Sequence, residues 1–223
     1  MTRSRLAIAS IVLVILMLAL ALTIGSRLPA EMQLPIHWNL QGEADGFSGK
    51  WGALLMPAGI TAALSLLLFF LPSLEPRGEG LKRSQGLYLA AWASLLLMGA
   101  AIELVTLSAA LDWNVPGGQV ILAAAGIMLV LIGNQLGKSR SMYLVGIRTP
   151  WTLASEEVWI KTHRLGGKLM VASGLLIIVL AALPVQPFFR AIVAGVSVGA
   201  AVIVPVVHSY FLWRHGKKHQ AND

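Results

Sequence analysis

Polar side chains that could do chemistry are few in this chain, and they fall into three groups. The first lies in the polar stretch 26–50, where a histidine, an asparagine and two carboxylates fall within nine positions. These residue types can hold a metal ion, bind a ligand through hydrogen bonds, or form turns. The candidate recognition residues of this group are His37, Trp38, Asn39, Gly42, Glu43 and Asp45.

The spacing within this group leaves three interpretations open. Asn-Leu-Gln-Gly and Asp-Gly are sequences that commonly form turns, because Asn, Asp and Gly tolerate unusual backbone angles. A surface that contacts a ligand or a peptide is the second interpretation. A zinc site would need three or four convergent ligands, and no two of these residues have a spacing that fixes such geometry. We therefore expect neither a metal nor a cofactor.

The second group is a single carboxylate, Glu103, inside an apolar run. A charge at the centre of a bilayer costs roughly 2.5 kcal/mol or more, so such a residue is a functional candidate by default. Glu103 could serve a transporter that carries a small molecule or an ion across the membrane. It could equally be a structural acid that a neighbouring helix satisfies, with Arg27, Lys50 or His37 as partners from the 26–50 stretch.

The third group lies in residues 134–168, the longest polar interval of the chain. His163 could act as an acid or a base there, and Glu156, Glu157 and Arg148 are its potential helpers. A membrane enzyme acting on a lipid is thus one hypothesis. No nucleophile pairs with His163 by spacing, so we assign no catalytic residue and favour a role other than catalysis.

The elements that position these groups are apolar segments. The chain has 223 residues, 57% hydrophobic and 12% charged, whereas soluble domains carry about 25% charged residues. A helix needs about 20 apolar residues to cross a bilayer. Six segments meet this requirement approximately: residues 6–25, 51–71, 87–111, 118–136, 169–183 and 191–213. We interpret the first as an uncleaved helix and not as a signal peptide.

The distribution of positive charge predicts how these six helices are oriented. Both termini and the 134–168 interval fall on one side, with all the Lys and Arg residues except Arg27, Lys50 and Arg190. Because Lys and Arg concentrate in cytoplasmic loops, we predict that both termini and the 134–168 interval lie in the cytoplasm. The net charge of +7 then reflects topology and the lipid bilayer, and no direct contact with nucleic acid is expected.

Two local patterns refine this picture. Thr149-Pro150 is a typical helix start and Gly166-Gly167 a common stop, which predicts a cytoplasmic interfacial helix between them. Gly195 and Gly199 are spaced four residues apart, a pattern that lets membrane helices approach closely. That pair predicts either packing inside the bundle or a homodimer.

The polar interval also resembles the signature of the SdpI immunity-protein family. The resemblance extends from Gly146-Ile147 to Gly166-Gly167, and Asn134 with Gly137 and Lys138, upstream, also fits it. The sequence from Pro35 to Gly46 is similar to the domain of unknown function that often accompanies this family. The residues of the interval that carry the match are Asn134, Arg148, Thr149, Pro150, Trp151, Glu157, Trp159, His163 and Arg164.

The resemblance implies a bacterial plasma-membrane protein, all-α and polytopic with six helices, divided into an N-terminal two-helix unit (1–86) and an SdpI-like four-helix unit (87–223). The family's founding member protects its cell from a secreted, membrane-active peptide toxin, and it signals by holding a transcriptional repressor at the membrane. By this analogy we expect an immunity protein whose partners are a peptide toxin and a cytoplasmic repressor. A transporter that uses Glu103 remains the main alternative, and a membrane enzyme the second.

Overall fold

A computed structural model describes residues 2–39, 41, 43–76 and 78–220. The chain is mainly helical, with one short antiparallel hairpin after the first helix. In chain order the elements are α1 (Arg3–Gly25), β1 (Gln33–Trp38), β2 (Ala44–Gly49), α2 (Lys50–Leu74), α3 (Gly78–Arg83), α4 (Gln85–Ala110), α5 (Gly117–Leu136), α6 (Pro150–Ala154), α7 (Glu156–Ala182) and α8 (Pro187–Gln220).

The prediction of six membrane-spanning helices is confirmed. Among the described residues, six helices are long and apolar enough to cross a bilayer: α1, α2, α4, α5, α7 and α8. The shortest of them, α5, has 20 residues, which at a rise of 1.5 Å per residue covers about 30 Å, the thickness of the hydrocarbon layer. The all-α expectation holds apart from the two-stranded sheet, which the sequence did not predict.

The six helices alternate in direction, so the molecule has two ends. We call the end that carries β1 and β2 the hairpin end. The opposite end carries α3, α6 and residues 137–149, and we call it the motif end. Which end faces the cytoplasm stays a prediction from the charge distribution.

The centre of the bundle is α4. Half of its most apolar stretch is buried, against 17% for both α1 and α8. One face of α4 packs against α1 and α2, with Trp92 and Leu96 in the core near the motif end and Leu107 and Ala110 in the core near the hairpin end. The outer faces of the other helices expose large apolar side chains, as expected for surfaces that contact lipid.

The most extensive helix contact is between α5 and α7, and two pairs of glycines allow their close approach. A methyl group on Gly133 would lie 2.9 Å from the carbonyl oxygen of Gly167, and one on Gly126 would lie 2.8 Å from that of Gly174. Real side chains essentially never approach a backbone oxygen this closely. Small residues permit such contact between membrane helices, and here they fix α7 against α5.

The predicted stop at Gly166-Gly167 is wrong. Thr149 and Pro150 do begin a helix, but that helix is only α6, and α7 begins at Glu156 and continues through both glycines to Ala182. Gly166 and Gly167 are buried against Ile147 and Gly133 respectively. The interfacial helix therefore shrinks to five residues, because the two glycines serve helix packing and not helix termination.

The packing role predicted for Gly195 and Gly199 is also wrong within this bundle. A methyl group on either residue would meet no atom within 4 Å. The alternative, a homodimer through this face of α8, stays a prediction. The division of the chain at residue 86 also stays a prediction.

Candidate functional site

The hairpin end presents a sheet that is fixed rigidly to α2. Strands β1 and β2 pair antiparallel, with Leu34 opposite Ser48, and Leu34 is buried in the core. Helix α2 begins at Lys50, directly after β2. The backbone N–H of Lys50 donates to Met32 O (3.0 Å), and the Lys50 ammonium donates to Leu28 O (2.6 Å). The hairpin and α2 therefore form one unit without a linker between them.

The predicted recognition residues of the hairpin form hydrogen bonds with one another. His37 Nδ1 and Asp45 Oδ1 lie 2.5 Å apart. The side-chain oxygen of Asn39 accepts the backbone N–H of Glu43 (2.9 Å), and its amide donates to the Glu43 carboxylate (3.2 Å). Trp38 is half-buried opposite Ala44, and Gly42 lies outside the described residues. Asn39 thus shapes the turn, which agrees with the interpretation of this stretch as a structural turn.

The exposed side of the hairpin carries both polar and apolar groups. The side chains of His37 and Asp45 are 70% and 44% exposed, and Phe47 is 57% exposed. No group of three or more potential metal-binding side chains occurs in the described part of the chain. What this surface offers chemically is a mixed apolar and hydrogen-bonding contact area.

The motif end is organised around His163, which is fully buried on α7. Its Nε2 accepts the backbone N–H of Ile147 (2.8 Å), so its Nδ1 carries the proton and donates to Trp159 O (2.8 Å). The imidazole also stacks on the indole of Trp159, with ring centroids 3.9 Å apart. Nε2 thus holds residues 146–147 against α7, while the Nδ1 bond lies within α7 and fixes the orientation of the ring.

Gly146 is required where the chain passes over these two rings. Its φ of +116° is a conformation that other residues rarely adopt. A methyl group there would lie 2.7 Å from His163 Nε2 and 2.9 Å from the Trp159 indole. Trp159 in turn donates its indole N–H to Ser139 Oγ (3.1 Å). The Gly146-Ile147 pair thus belongs to a closely packed structural junction.

Helix α6 is anchored at both its start and its outer face. Thr149 and Thr152 form a reciprocal capping box, and Pro150 occupies the first helical position, where its missing N–H costs nothing. The Trp151 indole donates to Ser209 Oγ of α8, and its ring contacts those of Tyr210 and Trp213. The short helix therefore ties residues 149–154 to α8.

The charged residues of the motif end do not form a catalytic arrangement around His163. Glu157 pairs with Lys161 (2.6 Å), and Glu156 accepts the backbone N–H of Ser141 (3.3 Å). The Arg148 guanidinium donates to Tyr143 O (2.6 Å). Because His163 has both nitrogens occupied, the geometry gives the enzyme hypothesis no support. Asn134 and Arg164 lie exposed on α5 and α7.

Sequence reasoning missed Glu75, which joins α2 to the motif end. This residue caps the end of α2 and is 7% exposed. Its two carboxylate oxygens accept the backbone N–H groups of Tyr143 (3.1 Å) and Leu144 (2.8 Å). Bonds from backbone N–H groups to a carboxylate are stronger than those between neutral groups. No spacing pattern links position 75 with positions 143 and 144, so no sequence signal could have found the contact.

Glu103 lies where its position in the sequence suggested, in the interior of the bundle. It is 3% exposed, and neither carboxyl oxygen has a hydrogen-bond partner among the described residues. Two of the partners that were proposed for it are engaged elsewhere: Lys50 binds Leu28 O and His37 contacts Asp45. The predicted pairing of Glu103 with Arg27, Lys50 or His37 is therefore wrong.

These features define a multi-pass integral membrane protein with a structured surface at each end. Residues 138–209 match the SdpI/YfhL protein family, and residues 12–61 match a domain of unknown function (DUF1648). The chain is also 26% identical over 207 residues to "Immunity protein SdpI" of Bacillus subtilis (strain 168), which covers 93% of this chain and 95% of that protein. The resemblance to the SdpI family is thus confirmed. No solved structure matches the chain significantly.

Proposed function

We propose that this protein is an immunity protein that protects a bacterial cell from a membrane-active peptide toxin. The observation that carries this proposal is the similarity to the Bacillus subtilis immunity protein, which extends over 93% of the chain and so includes both ends. The six apolar helices agree with it, since a protein that counters such a peptide must act at the bilayer.

In this proposal the hairpin end faces the outside and the motif end, with both termini, faces the cytoplasm. The support is the charge distribution. At the hairpin end the basic residues of the sequence are Arg27, Lys50 and Arg190, and Lys50 and Arg190 donate to backbone carbonyls. The remaining Lys and Arg fall at the motif end, which the positive-inside rule assigns to the cytoplasm.

The exposed face of the hairpin is the proposed recognition surface for the peptide. His37, Asp45 and Phe47 combine hydrogen-bonding groups with an exposed aromatic ring, which suits a peptide that is itself partly apolar. Trp38, Asn39, Glu43 and Gly42 complete the candidate set. Asn39 and Glu43 act indirectly, by holding the turn.

The motif end is the proposed surface for signalling to a cytoplasmic repressor. Arg164, Glu157 and Asn134 are exposed there, while the internal bonds of His163 and Trp159 hold the surface in shape. Helix α2 supplies a direct connection, because it begins at the hairpin and ends at Glu75, which holds residues 143 and 144. A shift of α2 caused by peptide binding would therefore move the motif end.

Survival of a sensitive host tests the proposal. Cells that lack their own immunity protein are made to express this chain and are challenged with the peptide that the family's founding member counters. Protection is expected from the native chain and from Glu31→Ala, a control outside the hairpin face. It should be lost in a His37→Ala, Phe47→Ala double variant that still reaches the membrane. Survival no better than that of cells without the protein would contradict the immunity proposal.

A second candidate, transport of a small molecule or an ion, is favoured by one observation. Glu103 is buried in the membrane region without a hydrogen-bond partner among the described residues, and ionisable residues inside membrane spans mark proton and ion pathways. Under this alternative Glu103→Gln abolishes proton or ion flux into vesicles that contain the purified protein. Under the immunity proposal the same variant still protects cells.

A further inference from the structure

A cavity of about 380 Å³ opens between α1 and α2 on the outer surface of the bundle. Its rim is formed by Ile11, Ile15 and Leu66, each about 60% exposed, and its floor includes Trp92 of α4. A volume of this size is within the range of small-molecule sites, which are also mostly apolar. Because the rim residues face away from the bundle, the cavity opens sideways into the lipid.

The cavity is a slot that runs along the helices. On α1 its lining extends from Ala7 to Ile15, and on α2 from Ala62 to Phe69. Eight helical residues span about 12 Å, and half of a bilayer's hydrocarbon layer is about 15 Å thick. The slot lies in the half of the membrane next to the motif end, since α1 begins and α2 ends there. Acyl chains of that leaflet run in the same direction.

The motif-end mouth of the slot carries a cation with an unused donor. Arg3 lies over the Phe69 ring, 4.4 Å from its centroid, and donates through Nη2 to Phe69 O. Its Nε–H is buried and has no acceptor among the described residues. An arginine N–H held in this way is suited to a phosphate oxygen.

A second unused donor lies one helical turn deeper. Ser65 lines the slot and is 6% exposed, and its hydroxyl has no partner in the described part of the chain. The other hydroxyl of the slot, Ser10 Oγ, is already satisfied, because it accepts from Trp92 Nε1 (2.9 Å) and donates to Leu6 O (2.8 Å). Of the two hydroxyl groups that line the slot, only that of Ser65 lacks a partner, and it lies between Arg3 and the apolar floor.

We propose that the slot binds one anionic glycerophospholipid from the motif-end leaflet. The order of groups along the slot is a guanidinium, a hydroxyl donor and an apolar floor. The order along such a lipid is a phosphate, an ester carbonyl a few bonds away and an acyl chain. Arg3 Nε–H then donates to the phosphate, Ser65 Oγ–H donates to the ester carbonyl, and the chain lies against Trp92. Arg5 follows two positions later on another face of α1, so it adds only the general attraction of a basic residue near the surface to anionic headgroups.

The test is native mass spectrometry of the full chain extracted from vesicles that contain equal amounts of phosphatidylglycerol and phosphatidylcholine. We expect the native protein to retain one phosphatidylglycerol molecule. Ala62→Phe fills the slot and should retain none, while Ala63→Phe, one position along α2 and outside the lining, should retain it as the native protein does. Arg3→Gln should lower retention about tenfold, the effect of one hydrogen bond to a charged group. Arg5→Gln should lower it less.

Several outcomes would overturn the proposal. Equal retention by the Ala62→Phe and native proteins would show that the lipid binds outside the slot. Equal retention of the two lipids would remove the assignment of an anionic headgroup. A lipid-free dimer that Ala62→Phe separates would assign the slot to a second copy of the chain. If Arg3→Gln fails to fold, Ser65→Ala replaces it, with an expected loss of about threefold.

Discussion

The imidazole of His163 accepts the backbone N–H of Ile147 at 2.8 Å while its own Nδ1–H is bonded to Trp159 O. The sequence suggested an acid or base at this position, but the two bonds give this histidine a structural role. It joins the start of the family motif to the first turns of α7, and its Nε2 can accept only while it is unprotonated. The consequences for stability can be measured.

His163→Ala should lower the free energy of unfolding by about 2–4 kcal/mol, because it leaves the Ile147 N–H unsatisfied and removes a stacked ring. Thermal unfolding of the purified protein in detergent measures this change. His215→Ala is the matched control, since His215 makes the same kind of bond to the carbonyl four residues earlier, that of Phe211, but is exposed. Equal shifts in Tm for the two variants would contradict the role of His163 in joining Ile147 to α7.

Glu75→Gln should loosen residues 143 and 144 without unfolding the bundle. A glutamine side chain offers one acceptor oxygen where the carboxylate offers two, so one of the two backbone N–H groups loses its acceptor. Hydrogen exchange at these amides should accelerate about tenfold or more, the effect of one hydrogen bond to a charged group.

The control for this experiment is Glu79→Gln, four residues later. Glu79 is exposed and pairs with Lys82 (2.7 Å), an interaction confined to α3. Exchange at residues 143 and 144 should stay at the native rate in that variant. If Glu75→Gln also leaves the rate unchanged, Glu75 does not hold the motif end, and the proposed connection through α2 loses its support.

Gly167→Ala should destabilise the bundle far more than Gly195→Ala. The added methyl on Gly167 would lie 2.6 Å from Gly133 O, a backbone atom that cannot rotate away, whereas on Gly195 it would meet nothing. Overpacking of this kind typically costs about 1–3 kcal/mol, and alanine in an open helical position is slightly favourable. Thermal unfolding in detergent measures the Tm of each variant, and that of Gly167→Ala should be clearly the lower. Similar Tm values would mean that α5 and α7 are not in the close contact described.

The sequence predicted the helices that cross the membrane but not their contacts. Membrane-spanning helices such as α1 can be predicted from the sequence, because the bilayer directly requires their length and lack of charge. The Gly166-Gly167 pair misled because glycine ends helices in water but permits close helix packing in membranes. Gly195 and Gly199, four residues apart, predicted packing inside the bundle or a homodimer, whereas the close glycine contacts within the bundle lie on α5 and α7.

The hairpin and Glu75 were beyond sequence reasoning for different physical reasons. Strand β2 (Ala44–Gly49) contains two glycines and an aspartate, residues that are depleted in strands, and its register depends on packing against α2. The bonds of Glu75 join positions 68 and 69 residues apart, and only the fold brings them together. The candidate residues themselves were identified from a motif, but whether each acts as a contact or as a support required the structure.

Phe47→Ser should abolish protection against the peptide toxin without disturbing the hairpin. The ring is 57% exposed, so its removal costs little folding energy but deletes the most exposed apolar side chain of the proposed recognition face. Leu34→Ala is the contrasting variant, because Leu34 is buried between the hairpin and the bundle, and its loss should lower stability by about 2–5 kcal/mol. Host survival and Tm are measured for both. Full protection by a stable Phe47→Ser protein would move recognition away from this face, whereas lost protection at an unchanged Tm would support it.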